Sequence, residues 1–125
     1  MIEPNGYRTK RALCAVLLAA GAVWLSAAQA GSPVAGSAAW VQEHTRADGT
    51  PARSCASCHT DDLTRPGRHA KTGKPIEAMA PSVNPERLTD QAKIEKWFRR
   101  NCRWAMGREC TAAEKTDFLA YIEAH

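Results

Sequence analysis

Apolar positions in this chain fall into blocks separated by polar, turn-rich stretches. The first block, Ala12 to Ala28, is almost wholly apolar and follows the basic residues Arg8, Lys10 and Arg11. Ala28-Gln29-Ala30 then supplies a small-residue A-x-A step. Residues 1–30 therefore read as a secretory signal peptide, with cleavage before Gly31 and one mature domain over 31–125. The apolar run is short of the ~20 residues a membrane span needs and is rich in alanine, which favours cleavage over anchoring.

Past the leader, the pattern changes to helical spacing. Residues from about Ala35 to Asp48 read as a first helix presenting Ala39, Trp40 and His44, ended by Asp48-Gly49-Thr50-Pro51. From Thr60 to Pro85 the chain carries Pro66, Gly67, Gly73, Pro75, Pro81 and Pro85, a long loop. Order returns at Thr89, a candidate N-cap, with Asp90 suited to the positive end of a helix. Ile94, Trp97, Phe98 and Asn101 then fall at i, i+3, i+4 and i+7 on one face, with Lys93, Lys96, Arg99 and Arg100 opposite. A linker through Gly107 leads to Thr111-Ala112-Ala113-Glu114, a capping-box pattern opening a last helix that packs Phe118, Leu119, Tyr121 and Ile122. Alternating β-type runs, internal repeats and low-complexity tracts are absent, so the expected fold class is all-α.

Chemistry enters at Cys55-Ala56-Ser57-Cys58-His59. C-x-x-C-H is the spacing of covalent c-type haem attachment: two thiols add to the two vinyl groups, and the imidazole becomes the proximal iron ligand. A zinc half-site would need a second ligand pair, and His44, His69 and His125 are scattered. A thioredoxin-like C-x-x-C would need a βαβ context, which the pattern lacks. One haem c is the expected cofactor, and the loop over 60–85 then has a task, covering it. Haem attachment needs the oxidising compartment to which the leader points, the periplasm of a Gram-negative cell.

Cysteine count and charge sharpen this. Of five cysteines, Cys14 leaves with the leader and two serve the haem, which leaves Cys102 and Cys110. In an exported chain this pair is expected as a disulfide. Some 95 residues support only a thin core, and a cofactor tied by two thioethers acts as a staple. The whole chain has 17 basic and 13 acidic residues. Beyond the leader 14 and 12 remain, too even for nucleic-acid binding. A monomer is the default.

The sixth iron position separates the possible functions. A strong ligand there makes an electron carrier, whereas a weak or absent one leaves room for a small molecule. Four residues are candidates. Met79 lies in Ala-Met-Ala-Pro, like the methionine–proline surroundings of electron-carrying cytochromes, but it also reads as a gap-filling core side chain. Met106 sits inside the Cys102–Cys110 loop. His69 lies in a basic stretch and reads as exposed. Asn101 ends the apolar stripe and is aimed inward with it, although spacing alone favours a C-cap role for an asparagine near a helix end.

The series Cys55 to His59, Asp62-Leu63-Thr64-Arg65, Thr72-Gly73-Lys74, Ala80-Pro81-Ser82, Glu95-Lys96-Trp97, Arg100-Asn101-Cys102 and Gly107-Arg108-Glu109-Cys110-Thr111 closely resembles the sphaeroides haem protein family. These are oxygen-binding class I cytochromes c, and the likeness covers roughly residues 53–122. It implies a small class I cytochrome c fold, thioethers at Cys55 and Cys58, His59 as proximal ligand, Asn101 as distal ligand of ferric iron, and a Cys102–Cys110 disulfide. It further implies that Asn101 detaches on reduction, opening the site to oxygen, nitric oxide or carbon monoxide. The implied electron donors are a dihaem cytochrome c or a membrane cytochrome b. Met79 and Arg103 depart from the family pattern, and the segment before the haem motif is shorter. The alternative is a His59/Met79 electron carrier. Slow oxygen or nitric oxide redox chemistry stays open, as no separate acid–base pair marks an enzyme.

Overall fold

The computed structural model describes Met1 and residues 29–125. The leader features, from Arg8 through Ala28, lie outside the described residues. Four helices are described. α1 spans Pro33–Val41, α2 Ala56–His59, α3 Gln91–Met106 and α4 Ala112–Glu123. The all-α expectation holds, with one small departure.

α1 starts where the local chemistry favours it. The Ser32 hydroxyl accepts from the Ala35 N–H at 3.1 Å, and Pro33 occupies a position where its missing N–H costs nothing. The helix ends earlier than the spacing suggests. Gln42 is extended, and His44 and Arg53 instead exchange backbone hydrogen bonds (2.8 and 3.3 Å) in an isolated antiparallel bridge. Trp40 is the last buried side chain of α1, so residues beyond it have no core to face. Asp48 accepts from the Thr50 N–H and hydroxyl, closing the turn that follows.

The stretch read as a loop holds a two-residue hairpin. β1 (Gly67–Arg68) pairs antiparallel with β2 (Pro75–Ile76), Gly67 opposite Ile76. Proline is compatible with this two-stranded ribbon because β2 is an edge. A Cβ on Gly67 would overlap the Cys58 carbonyl oxygen, so glycine here lets the hairpin lie against the haem motif.

α3 is capped by Asp90 rather than Thr89: the Asp90 carboxylate accepts from the Lys93 N–H at 3.0 Å. At the other end Gly107 adopts the left-handed conformation (φ 74°) and donates its N–H to the Arg103 carbonyl. α4 opens with the expected capping box. The Thr111 hydroxyl accepts from the Glu114 N–H, and the Glu114 carboxylate accepts from the Thr111 N–H.

α1 and α4 pack directly on one another. Gly36 makes this possible, as a Cβ there would overlap the Asp117 carbonyl oxygen and crowd Tyr121. The core contains Trp40, Leu63, Ala80, Cys102, Cys110, Phe118, Tyr121 and Ile122. Phe118 and Leu63 are the fully buried large side chains, each stabilising by about 1.5–3 kcal/mol. α3 attaches differently, through side chains and a disulfide joining Cys102 to Cys110. That bridge was expected and is present.

Candidate haem site

The C-x-x-C-H segment is a single helical turn held from both ends. Cys58 and His59 donate their backbone N–H groups to the Cys55 carbonyl, at 3.2 and 3.1 Å. Past the turn, Thr60 takes a positive φ of 64° and swings its carbonyl out. Trp40 Nε1 donates to that carbonyl at 2.7 Å, and the Tyr121 hydroxyl donates to the Asp61 carbonyl at 3.2 Å. One partner comes from α1 and the other from α4, so the helix pair clamps the motif. The Trp40 ring lies 5.7 Å from that of His59.

Burial then sets the chemistry of these side chains. It lowers the His59 pKa to about 4, with the nearby Arg87 guanidinium adding to the effect, so the imidazole stays neutral with a lone pair to offer. Its Nδ1 is buried without a hydrogen-bond partner. Burial also pushes the Cys55 thiol up to about 11, with the neighbouring Cys58 sulfur contributing. Neither Cys55 nor Cys58 is taken up by the disulfide, and the Ala70 N–H points at Cys58 Sγ from 3.3 Å.

These three residues open onto a cavity of about 360 Å³, within the usual range for cofactor sites. Much of its wall is α3. Ile94, Trp97, Phe98 and Asn101, the stripe read from spacing, all line it. Leu119 and Ile122 of α4 close one side, and Met79, Leu88 and Ile76 come from the loop. A mainly apolar chamber with two thiols and a neutral, incompletely hydrogen-bonded imidazole at its edge fits a porphyrin. Among the described residues no three His, Cys, Asp or Glu side chains gather into a metal-binding cluster of their own.

Of the four candidates for the sixth position, three line the cavity. Asn101 does so from within α3; the C-cap role belongs to Gly107, six residues later. Helix continuation explains the difference, because Cys102 and Ala105 are buried and extend the apolar face past Asn101. Met79 lines the cavity too, its N–H donating to the Leu63 carbonyl at 3.0 Å. Met106 does not: it packs on the core, its sulfur 3.5 Å from Cys110 Sγ.

His69 corrects the sequence reading, because it is part of the cavity wall rather than a freely exposed side chain. Its Nδ1 accepts from the Lys71 and Thr72 N–H groups (3.2 and 3.1 Å), and its ring packs on Trp104, centroids 5.5 Å apart. Trp104 itself was missed, although its spacing of i+3 from Asn101 and i+7 from Trp97 continues the helical stripe. Arg87 was missed as well. It donates to the Ala78 and Glu77 carbonyls at 2.9 and 3.0 Å, and no local periodicity marks it.

Residues 26–122 match the family described as "Domain of unknown function (DUF1924)". The cytochrome c-type protein SHP of Cereibacter sphaeroides is 51% identical over 71 residues, covering 57% of this chain and 54% of that protein. Cytochrome c'' of Methylophilus methylotrophus is 42% identical over 69 residues, covering 55% and 48%. The chain thus spans about half the length of these two curated relatives. The structure of oxidised SHP, an oxygen-binding cytochrome c, superposes with a TM-score of 0.69 at 43% identity, over 76% of this chain and 83% of that one. The solution structure of cytochrome c'', studied for haem-ligand detachment, does so with 0.64 at 35%, over 74% and 73%.

Proposed function

This chain belongs to the DUF1924 family and to the sphaeroides haem protein group of monohaem c-type cytochromes with covalently bound haem c, and on that premise we propose that it is an exported protein that takes up one electron and then binds a diatomic gas. In this reading the signal peptide is residues 1–30, and the domain over 31–125 works in the periplasm as a monomer. Cys55 and Cys58 form the thioethers, and His59 is the proximal ligand.

The observation that carries the proposal is the position of Asn101. It lines the same cavity as His59, next to the disulfide-bonded Cys102. The haem iron, once bound, supplies a one-electron couple and a sixth position. Asn101 offers that position a neutral amide oxygen, a hard and weak donor suited to ferric iron and poorly suited to ferrous. With the haem bound and reduced by a dihaem cytochrome c or a membrane cytochrome b, Asn101 would be the residue to release its oxygen. Its amide N–H would then be available to donate a hydrogen bond to oxygen, nitric oxide or carbon monoxide. The disulfide keeps α3 close enough for Asn101 to return on oxidation. SHP is described as oxygen-binding and cytochrome c'' through haem-ligand detachment, and both descriptions support this reading.

Met79 carries the second reading, a His59/Met79 electron carrier, because it lines the same cavity on an anchored backbone. Paramagnetic resonance of the ferric holoprotein separates the two. Asn101→Ala should convert a low-spin signal to high spin while Met79→Leu leaves it unchanged. The reverse pattern makes the protein a simple carrier.

A further inference from the structure

Charge in the described domain is sorted by element. α3 carries five cations (Lys93, Lys96, Arg99, Arg100, Arg103) and one anion, Glu95. The rest of residues 31–125 carries nine cations and eleven anions. The whole positive excess of the domain therefore sits on one helix. Arg103 pairs with Glu109, and Glu95 pairs with Lys115 of α4 at 2.7 Å. Among the described residues, Lys93, Lys96, Arg99 and Arg100 have no carboxylate within salt-bridge distance, and all four are exposed.

Position makes this more than a solvated face. Lys93, Lys96, Trp97 and Arg100 lie at i, i+3, i+4 and i+7, one stripe along α3. Trp97 is 42% exposed, part of that surface facing the cavity it lines. Arg100 and Lys96 flank its ring, at 5.0 and 5.9 Å from the centroid. Lys93, Trp97 and Arg100 also line the haem cavity. Lys93 and Arg100 thus belong to the cavity lining as well as to the basic face, with Trp97 between them, while Lys96 and Arg99 lie outside the cavity. A partner seated on this stripe would lie beside the haem.

We propose that the Lys93–Lys96–Trp97–Arg100 stripe, extended by Arg99, is the electron-entry surface, which docks the acidic face of a one-electron redox protein. The proposal rests on the cytochrome reading above and adds the donor's chemistry and landing site. One electron leaves the donor, which is oxidised by one, and reduces ferric haem to ferrous; no covalent bond to the donor forms. Opposite charges speed the encounter by about 10- to 1,000-fold and lose that advantage in salt. An exposed aromatic ringed by cations provides the small contact typical of transient redox complexes.

The test is stopped-flow reduction of the ferric holoprotein by reduced flavodoxin, an acidic one-electron donor. Photogenerated lumiflavin semiquinone serves as the uncharged comparison. The flavodoxin rate should fall by roughly tenfold or more from low to high salt. Lys96→Glu/Arg99→Glu, two substitutions outside the cavity, should slow the low-salt reaction comparably and leave the lumiflavin rate unchanged. Arg65→Glu/Lys71→Glu, cations of equal number on the loop, should change it less than twofold. A flavodoxin rate indifferent to salt, or slowed equally by both double variants, overturns the proposal. So does a face that binds phosphatidylserine vesicles, or self-associates, in a Lys96/Arg99-dependent way while flavodoxin reduction is unaffected. Carbon monoxide binding is read on the same samples. Failure there with the salt effect intact overturns the gas-binding reading and leaves the docking surface standing.

Discussion

The helix pair α1/α4 and the helix α3 face the same cavity but are held in opposite ways. α1 and α4 meet backbone to backbone across Gly36, interlock Trp40 with Phe118 and Tyr121, and reach out through two hydrogen bonds to hold the haem motif. No other element's backbone packs as closely on α3. α3 is tied by the Cys102–Cys110 bridge, the Glu95–Lys115 pair, the stacking of Phe98 on Phe118, and Arg46, which donates to the Arg103 and Trp104 carbonyls. The haem motif is thus held by the closest helix packing among the described residues, whereas α3 hangs from point attachments. A ligand meant to stay belongs on the first kind of support, and a ligand meant to leave and return belongs on the second. In the reading proposed above, His59 and Asn101 are distributed accordingly.

This contrast can be broken from either side. Gly36→Val should act hardest, because the new side chain would overlap the Asp117 carbonyl. A loss of about 3 kcal/mol, with the proximal clamp disturbed as well, would appear as a lower Tm and a perturbed haem spectrum together. Cys102→Ser/Cys110→Ser should cost about 2 kcal/mol and act locally. Carbon monoxide recombination should change while the His59-dependent features of the spectrum persist. Equal disturbance of both sides by this variant would contradict the division. Thr111→Ala removes half of the capping box and should cost about 1 kcal/mol in chemical denaturation, without altering ligand binding.

The smallest effect sharpens the picture at the junction of the two regions. Arg108 holds the Glu114 carboxyl down to about 2 from 4.5, with the Thr111 backbone helping. A depressed carboxyl stabilises the fold fully above the unfolded value, and its contribution disappears as pH falls from about 4.5 towards 2. For so exposed a pair this amounts to about 0.5 kcal/mol. Glu114→Gln should therefore be slightly less stable than the parent at neutral pH and converge with it in acid. A gap that stays constant in acid would contradict the assignment.

Much of this architecture is written in local chemistry. The Thr111–Glu114 box and the disulfide are short-range signals, and the structure uses both as read. The errors arise where tertiary contacts outweigh local preference. α1 ends at Val41 because burial ends at Trp40, a fact about its partner α4 that nothing near residue 41 reveals. The hairpin at Gly67 depends on the close approach of the Cys58 carbonyl, again a long-range condition. Asn101 was aimed correctly by periodicity, but the stripe was stopped too soon, which hid Trp104 and assigned the helix end to the wrong residue. His69 could not have been placed from composition. A basic, glycine-flanked stretch looks solvated until Trp104 gives its ring a surface to pack on.

The most direct test of a detachable distal ligand is the spin state of the holoprotein before and after anaerobic reduction, followed by carbon monoxide. A ferric form that is low-spin, becomes high-spin and five-coordinate on reduction, and shifts at once with carbon monoxide is the predicted result. A ferrous form that stays low-spin and ignores carbon monoxide would contradict it, and Met79 would then be the ligand to substitute first.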